Sequence, residues 1–97
     1  MKSPSTKTSY IDGNKVVWQR GIGNKKYKVV IFFKDGRKKT IQFGDKRYEQ
    51  YKDSTPLKLY TRLNHGDKER RRLYKCRHEG NRHTKFTAGW FADRYLW

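Results

Sequence analysis

The clearest hydrophobic pattern in the chain lies between residues 27 and 43. Residues 27–34 are rich in β-branched and aromatic side chains, and residues 37–43 alternate polar with apolar. Asp35-Gly36 lies between them, the dipeptide that a two-residue type I′ turn favours because both of its central positions need positive φ. The pattern predicts a β-hairpin with Val30 opposite Ile41 and Phe32 opposite Lys39. In that register Val30, Phe32, Ile41 and Phe43 share one face, and Tyr27, Val29, Ile31 and Phe33 share the other. The first strand, apolar on both faces, belongs in the interior of a sheet. The second, with Lys38, Thr40 and Gln42 on one side, suits an edge. Upstream, Asp12-Gly13 followed by Val16-Val17-Trp18 predicts a turn and a short strand.

After residue 54 the period changes. Thr55-Pro56 offers an N-cap and a proline at the first helical position, and Leu59, Tyr60 and Leu63 follow at helical spacing before Gly66. Asp67 is placed to cap a second helix over 68–78, closed by Gly80. Thr87 can cap a third that carries Trp90, Phe91, Tyr95 and Trp97. The fold class expected is α+β: a small antiparallel sheet built on the 27–43 hairpin, with two or three short helices packed on one face. Residues 1–9, with nothing to bury, read as a flexible basic arm ahead of a single domain over 10–97.

Composition qualifies this picture. A chain of 97 residues has a small core, and high charge with low hydropathy disfavours collapse. Three Trp, seven Tyr and five Phe supply the burial that offsets it. Lys and Arg number 25 against 9 Asp and Glu, a formal charge of +16. Both parts of the chain are basic, with 14 cations and 5 carboxylates in residues 1–56 and 11 and 4 in residues 57–97. Such a field attracts polyanions. A single cysteine excludes an internal disulfide framework, and no stretch reaches the length of a membrane span. The start has no signal-peptide apolar region, so synthesis in cytosol or nucleus is expected.

On a helical projection of 68–78, Lys68, Arg71, Arg72 and Lys75 form one basic ridge, with Leu73, Tyr74 and Cys76 on the side expected to face inward. The ridge is the candidate polyanion site. Lys38 and Lys39, at the start of the second hairpin strand, are added to it. Arg70 and Arg77 fall at the core edge and are expected to stack on rings or bridge carboxylates as structural arginines. Cys76, His78, His83 and His65 do not match the ligand spacing of a zinc site. His65 near Asp67, with Asp45, is the sole pair suggesting a nuclease, and neither a second carboxylate cluster nor a phosphate loop accompanies it. No enzyme activity, cofactor, metal or small-molecule substrate is expected.

Phe43-Gly44-Asp45, Tyr48-Glu49-Gln50-Tyr51-Lys52-Asp53, His65 and Asp67, Arg70-Arg71, Tyr74, Arg77-His78 and the ending Tyr95-Leu96-Trp97 form a signature. It resembles small basic proteins encoded by large nucleocytoplasmic DNA viruses of algae and amoebae, over residues 27–97. Trp90-Phe91-Ala92 stands where that family carries a more polar segment. The resemblance implies a component of a virus particle, made in the host cytoplasm or nucleus. The first expectation is a minor capsid or inner-shell protein binding acidic capsid proteins. The second is a sequence-nonspecific nucleic-acid-binding protein packaged with the viral genome.

Overall fold

The structure, a computed structural model, describes residues 6–97. Four antiparallel strands, β1 (Thr6–Ile11), β2 (Asn14–Arg20), β3 (Lys25–Phe32) and β4 (Lys38–Asp45), form a meander in the order β1-β2-β3-β4. Two helices follow, α1 (Lys68–Arg77) and α2 (Ala88–Leu96), with one 3-10 turn, Thr61–Leu63, before them. The α+β class is as the pattern predicts, with β3 interior and β4 at an edge. Thr6 to Ser9, expected to belong to a flexible arm, instead pair with β2, Trp18 Nε1 donating to Ser9 Oγ at 2.8 Å. The rest of that arm lies outside the described residues.

Asp12-Gly13 forms the two-residue turn, with φ of 53° and 79° and Ile11 opposite Asn14. The β3–β4 hairpin is different. Phe33 N donates to Arg37 O at 2.9 Å and Gly36 N to Phe33 O at 3.0 Å, so the loop has three residues, ending on Gly36 at φ 94°. Lys34 does not extend the ladder, because its N–H is taken by Asn14 Oδ1 at 3.1 Å. The expected register is therefore wrong by one residue. Val29 faces Ile41, Val30 faces Thr40 and Phe32 faces Lys38. A one-residue slip exchanges the faces of a strand, and here it gathers the apolar positions. Val16, Trp18, Tyr27, Val29, Ile31, Ile41 and Phe43 are buried on one side, and the polar positions of β4 turn to the other.

Helix α2 covers the apolar side. Its Phe91 ring stacks on Phe43 at 5.5 Å and meets Trp18 edge-on at 5.8 Å. Thr87 caps it as expected, its Oγ1 accepting from Trp90 N at 3.3 Å. Asp67 likewise caps α1, accepting from Glu69 N at 2.9 Å and Arg70 N at 3.2 Å.

The helix expected after Thr55-Pro56 does not form. Thr55 Oγ1 accepts from Lys58 N at 3.1 Å, as an N-cap would, but Lys58 turns to φ 49°. The next N–H groups then go elsewhere: Leu59 N to Tyr27 Oη at 2.8 Å, and Tyr60 N to Asp53 Oδ2 at 3.1 Å. Buried side chains take the donors that a helix would spend on its own carbonyls. Leu57, Leu59 and Leu63 still pack on the core, from an irregular loop.

Helix α1 has no buried residue; Leu73 is 42% exposed and Cys76 is exposed. The inward side expected for Leu73 and Cys76 is wrong. Arg71, Tyr74, Lys75 and His78, at i, i+3, i+4 and i+7, form the stripe that faces the domain. Tyr74 stacks on Trp97 at 4.3 Å and 5°. Arg71 Nε donates to Trp97 O at 2.6 Å, and Lys75 pairs with Asp93 at 2.8 Å. Long cationic stems do here what leucines do elsewhere.

The two helices should therefore differ in sensitivity. Phe91→Ala should cost about 3–5 kcal/mol, as a buried ring removed from a packed core does, whereas Leu73→Ala should cost less than about 1 kcal/mol. Urea unfolding of both variants checks this; equal losses would contradict the packing described.

Candidate polyanion-binding surfaces

The carboxylates decide where positive charge remains. Seven of the nine form ion pairs with Lys or Arg: Asp12, Asp35, Asp45, Glu49, Glu69, Glu79 and Asp93. The other two serve the backbone, Asp67 as the α1 cap and Asp53 as a buried acceptor. Asp45 shows the local character of these pairs. Two side-chain hydrogen bonds from Arg47 and one from its backbone N–H hold the carboxyl down at about 2. Every acidic group is occupied within the fold, and most of the cations have no carboxylate beside them.

The basic ridge is real but partly spent. Lys68, Arg71, Arg72 and Lys75 line one shallow groove of about 320 Å³, joined by Arg82. Arg72 Nε donates to Glu69 at 3.1 Å, Lys75 is tied to Asp93, and Arg71 lies 5.0 Å from the Tyr51 ring centre while bonding Trp97 O. Lys68 forms no ion pair among the described residues. A second concavity of about 330 Å³ opens between the helices, where Arg71, Lys75, Arg82 and Arg94 meet the rings of Trp90 and Trp97. Arg94 lies 5.3 Å from the Trp90 ring centre, and Arg82 reaches Asp93 at 3.6 Å. Arg82 and Arg94 lie outside the 68–78 helix in which the sequence places the ridge. They join the ridge only through tertiary folding, and no local pattern marks them, since Glu79 lies three residues before Arg82 and Asp93 immediately before Arg94.

Lys38 and Lys39 are exposed on β4, away from the α1 groove. Adjacent in a strand, they point to opposite sides of the sheet, Lys38 beside Phe32 and Lys39 beside Ile31. Arg70 bridges Glu49 at 2.9 Å, the carboxylate contact expected of it. Arg77 makes neither of the contacts expected of it, forming no ion pair and lying over no ring among the described residues; it lines a cleft of about 480 Å³ with Lys25, Lys26, Arg70 and His78, over a floor that includes Tyr74 and Leu96. Exposed Tyr48 and Leu73 stand on its walls.

Lys26 is the unexpected member of that cleft. It is 2% exposed and its Nζ donates to Gln50 Oε1. Its stem runs past Gly44, where φ is 77° and a Cβ would come within 3.0 Å of Lys26, so glycine is required. Burial lowers its pKa from 10.5 to about 8, with Asp53 and Asp45 opposing. Next to it, burial and the hydrogen bond to Asp53 push the Tyr27 phenol well above its usual range.

The His65–Asp67 pair is engaged in starting α1. His65 Nδ1 accepts from Asp67 N at 2.9 Å, and burial with nearby Arg70 lowers the imidazole pKa. Among the described residues no three of His, Cys, Asp and Glu converge as metal ligands, and no helix is long and apolar enough to cross a membrane.

Lys26 makes stability pH-dependent. Native Lys26 releases its proton near pH 8, while the unfolded chain keeps it to about 10.5. The unfolded state therefore binds more protons in that window, and stability rises with pH. Above about pH 10 Tyr27 reverses the trend, because only the unfolded phenol then ionises. Urea midpoints between pH 7 and 10 should rise more steeply for the native sequence than for Lys26→Met, the difference reaching at most about 3 kcal/mol. Parallel profiles would exclude Lys26 as the cause.

No protein-family model, no curated protein and no solved structure matches this chain.

Proposed function

We propose that this protein is a non-enzymatic nucleic-acid-binding protein that grips phosphates without reading sequence. The observation that carries this reading is the carboxylate accounting: all nine acids are engaged within the fold, so that, apart from buried Lys26, most of the cations are left at the surface without a carboxylate to neutralise them. The helical side combines these cations with rings. Lys68, Arg71 and Arg94 offer donors to phosphates, and Trp90 and Trp97 wall the concavity beside them. In the setting implied by the viral resemblance, such a protein would travel in the particle with the genome.

A second reading has one observation in its favour. The 480 Å³ cleft has apolar walls at Tyr48 and Leu73 beside Arg70 and Arg77. Phosphate contact has no need of exposed apolar side chains, but an acidic protein segment with an apolar anchor does. A minor capsid or inner-shell role would use this cleft to hold an acidic capsid protein.

A salt titration on random-sequence duplex DNA separates the two. Phosphate binding should give a log–log slope of roughly −0.9 per phosphate engaged. Combined Lys68→Gln, Arg71→Gln and Arg94→Gln substitution should flatten it by about 2–3 units. A slope near zero would sink the nucleic-acid reading and leave the acidic-protein reading, whose binding should depend on Tyr48 and Leu73.

A further inference from the structure

The sheet has a second face that neither helix covers. Side chains alternate along each strand, so the register assigns three cross-strand rows to it. The first runs Tyr10, Lys15, Phe32, Lys38; the second Thr8, Val17, Val30, Thr40; the third Thr6, Gln19, Lys28, Gln42. None of these residues belongs to the buried core. We propose that this open face is a stacking platform for single-stranded nucleic acid, with Tyr10 and Phe32 as the base-stacking rings and Lys15, Lys28 and Lys38 as the phosphate contacts.

Three observations carry the proposal. First, Tyr10 is 68% exposed and Phe32 41%. Isolated exposed rings are ordinary, but these two lie in one row, two strand spacings or about 10 Å apart. Second, Lys15 and Lys38 alternate with the rings in that row, and Lys15 Nζ is 5.7 Å from the centre of the Phe32 ring. Third, the three rows contain no Asp or Glu. The carboxylates in the adjoining turns are already neutralised, Asp12 by Lys85 and Asp35 by Arg37 at 2.6 Å.

These features favour a single strand over a duplex. A flexible strand can turn its bases onto exposed rings, each stack contributing substantially and without sequence preference, while cations follow its backbone. A duplex keeps its base faces stacked inside and gains nothing from Tyr10. The inference rests on the nucleic-acid reading above and adds a second surface on the opposite side of the molecule.

The test compares a twelve-residue oligothymidylate with a twelve-base-pair random duplex, using the full chain. Tyr10→Ala should weaken oligothymidylate binding about five- to hundredfold, the scale of one lost base stack, and leave duplex binding unchanged. Tyr10→Phe should retain it. Thr40→Glu, which puts a carboxylate on the same face without removing a ring, should also weaken single-strand binding by at least about tenfold while leaving the urea midpoint unchanged. Single-strand affinity within twofold of native in both Tyr10→Ala and Thr40→Glu would overturn the platform and leave duplex binding by the helical side intact. Failure to bind either nucleic acid would sink both readings. A dimer that Tyr10→Ala dissociates, with single-strand binding unaffected, would assign the face to a second copy of the chain.

Discussion

The fold depends on one buried carboxylate. Asp53 is 2% exposed and accepts four hydrogen bonds, from Tyr27 Oη at 2.5 Å, Thr55 N at 3.0 Å, Thr55 Oγ1 at 2.6 Å and Tyr60 N at 3.1 Å. Gln50 continues the network. Its Nε2 donates to Tyr60 O and to Asn64 Oδ1, each at 2.7 Å, while its Oε1 accepts from Lys26. Asn64 Oδ1 in turn accepts from Asp53 N at 2.7 Å. A long segment without regular structure can be buried only if its backbone groups find partners, and these side chains provide them. The same segment then holds α2, since Lys52 N donates to Leu96 O at 3.1 Å and Ser54 N to Tyr95 O at 2.8 Å. Those are carbonyls that the end of a helix leaves unpaired. Through Trp97 the support reaches α1, which has no apolar seat of its own.

Such a network trades strength for definition. A buried ion is costly unless every hydrogen bond is made, and the depressed Lys26 shows that some of the cost remains. In return the loop has one arrangement. The apolar core, small in a chain of 97 residues, could not specify it alone. Tyr27 joins the two systems: its ring lies 5.8 Å from Phe43 in the core, and its hydroxyl bonds Asp53 in the network.

What the sequence made legible follows from range. Caps and turns are encoded by adjacent residues, so Asp67, Thr87, Asp12-Gly13 and the existence of the 27–43 hairpin could all be read directly. The hairpin register could not, because it turns on Asn14, twenty positions away, taking the Lys34 N–H. Thr55-Pro56 is a sound start for a helix, and the chain makes that turn, but Tyr27 and Asp53 claim the donors that would continue it. In α1 the error came from equating inward with apolar. A helix with mean hydropathy as low as this one turns its arginine and lysine stems inward along with Tyr74, and leaves Leu73 and Cys76 outside. The four ridge residues do line one groove. Their division between holding the helix and facing solvent depended on Glu69, Asp93 and Trp97, whose positions come only with the fold.

The choice between the two basic side chains follows the same division of labour. Of the 15 lysines, 11 lie in residues 1–56, and of the 10 arginines, 7 lie in residues 57–97. Arginine offers a planar fork that pairs with carboxylates and carbonyls and stacks on rings, and a helical layer with little apolar surface needs such contacts. Arg70 with Glu49, Arg71 with Trp97 O and Arg94 over Trp90 are the result. The sheet is already held by its ladder and by α2, so apart from Lys26, which is tied into the buried network, the lysines of its open face have no structural task. Lysine, a mobile point charge, suits that side, where Lys15, Lys28 and Lys38 stand among uncharged neighbours on the open face. One excess of charge thus serves two purposes: in the helical layer, where the core is thin, the same cations give cohesion and line the grooves, and on the open face of the sheet they give an outward field alone.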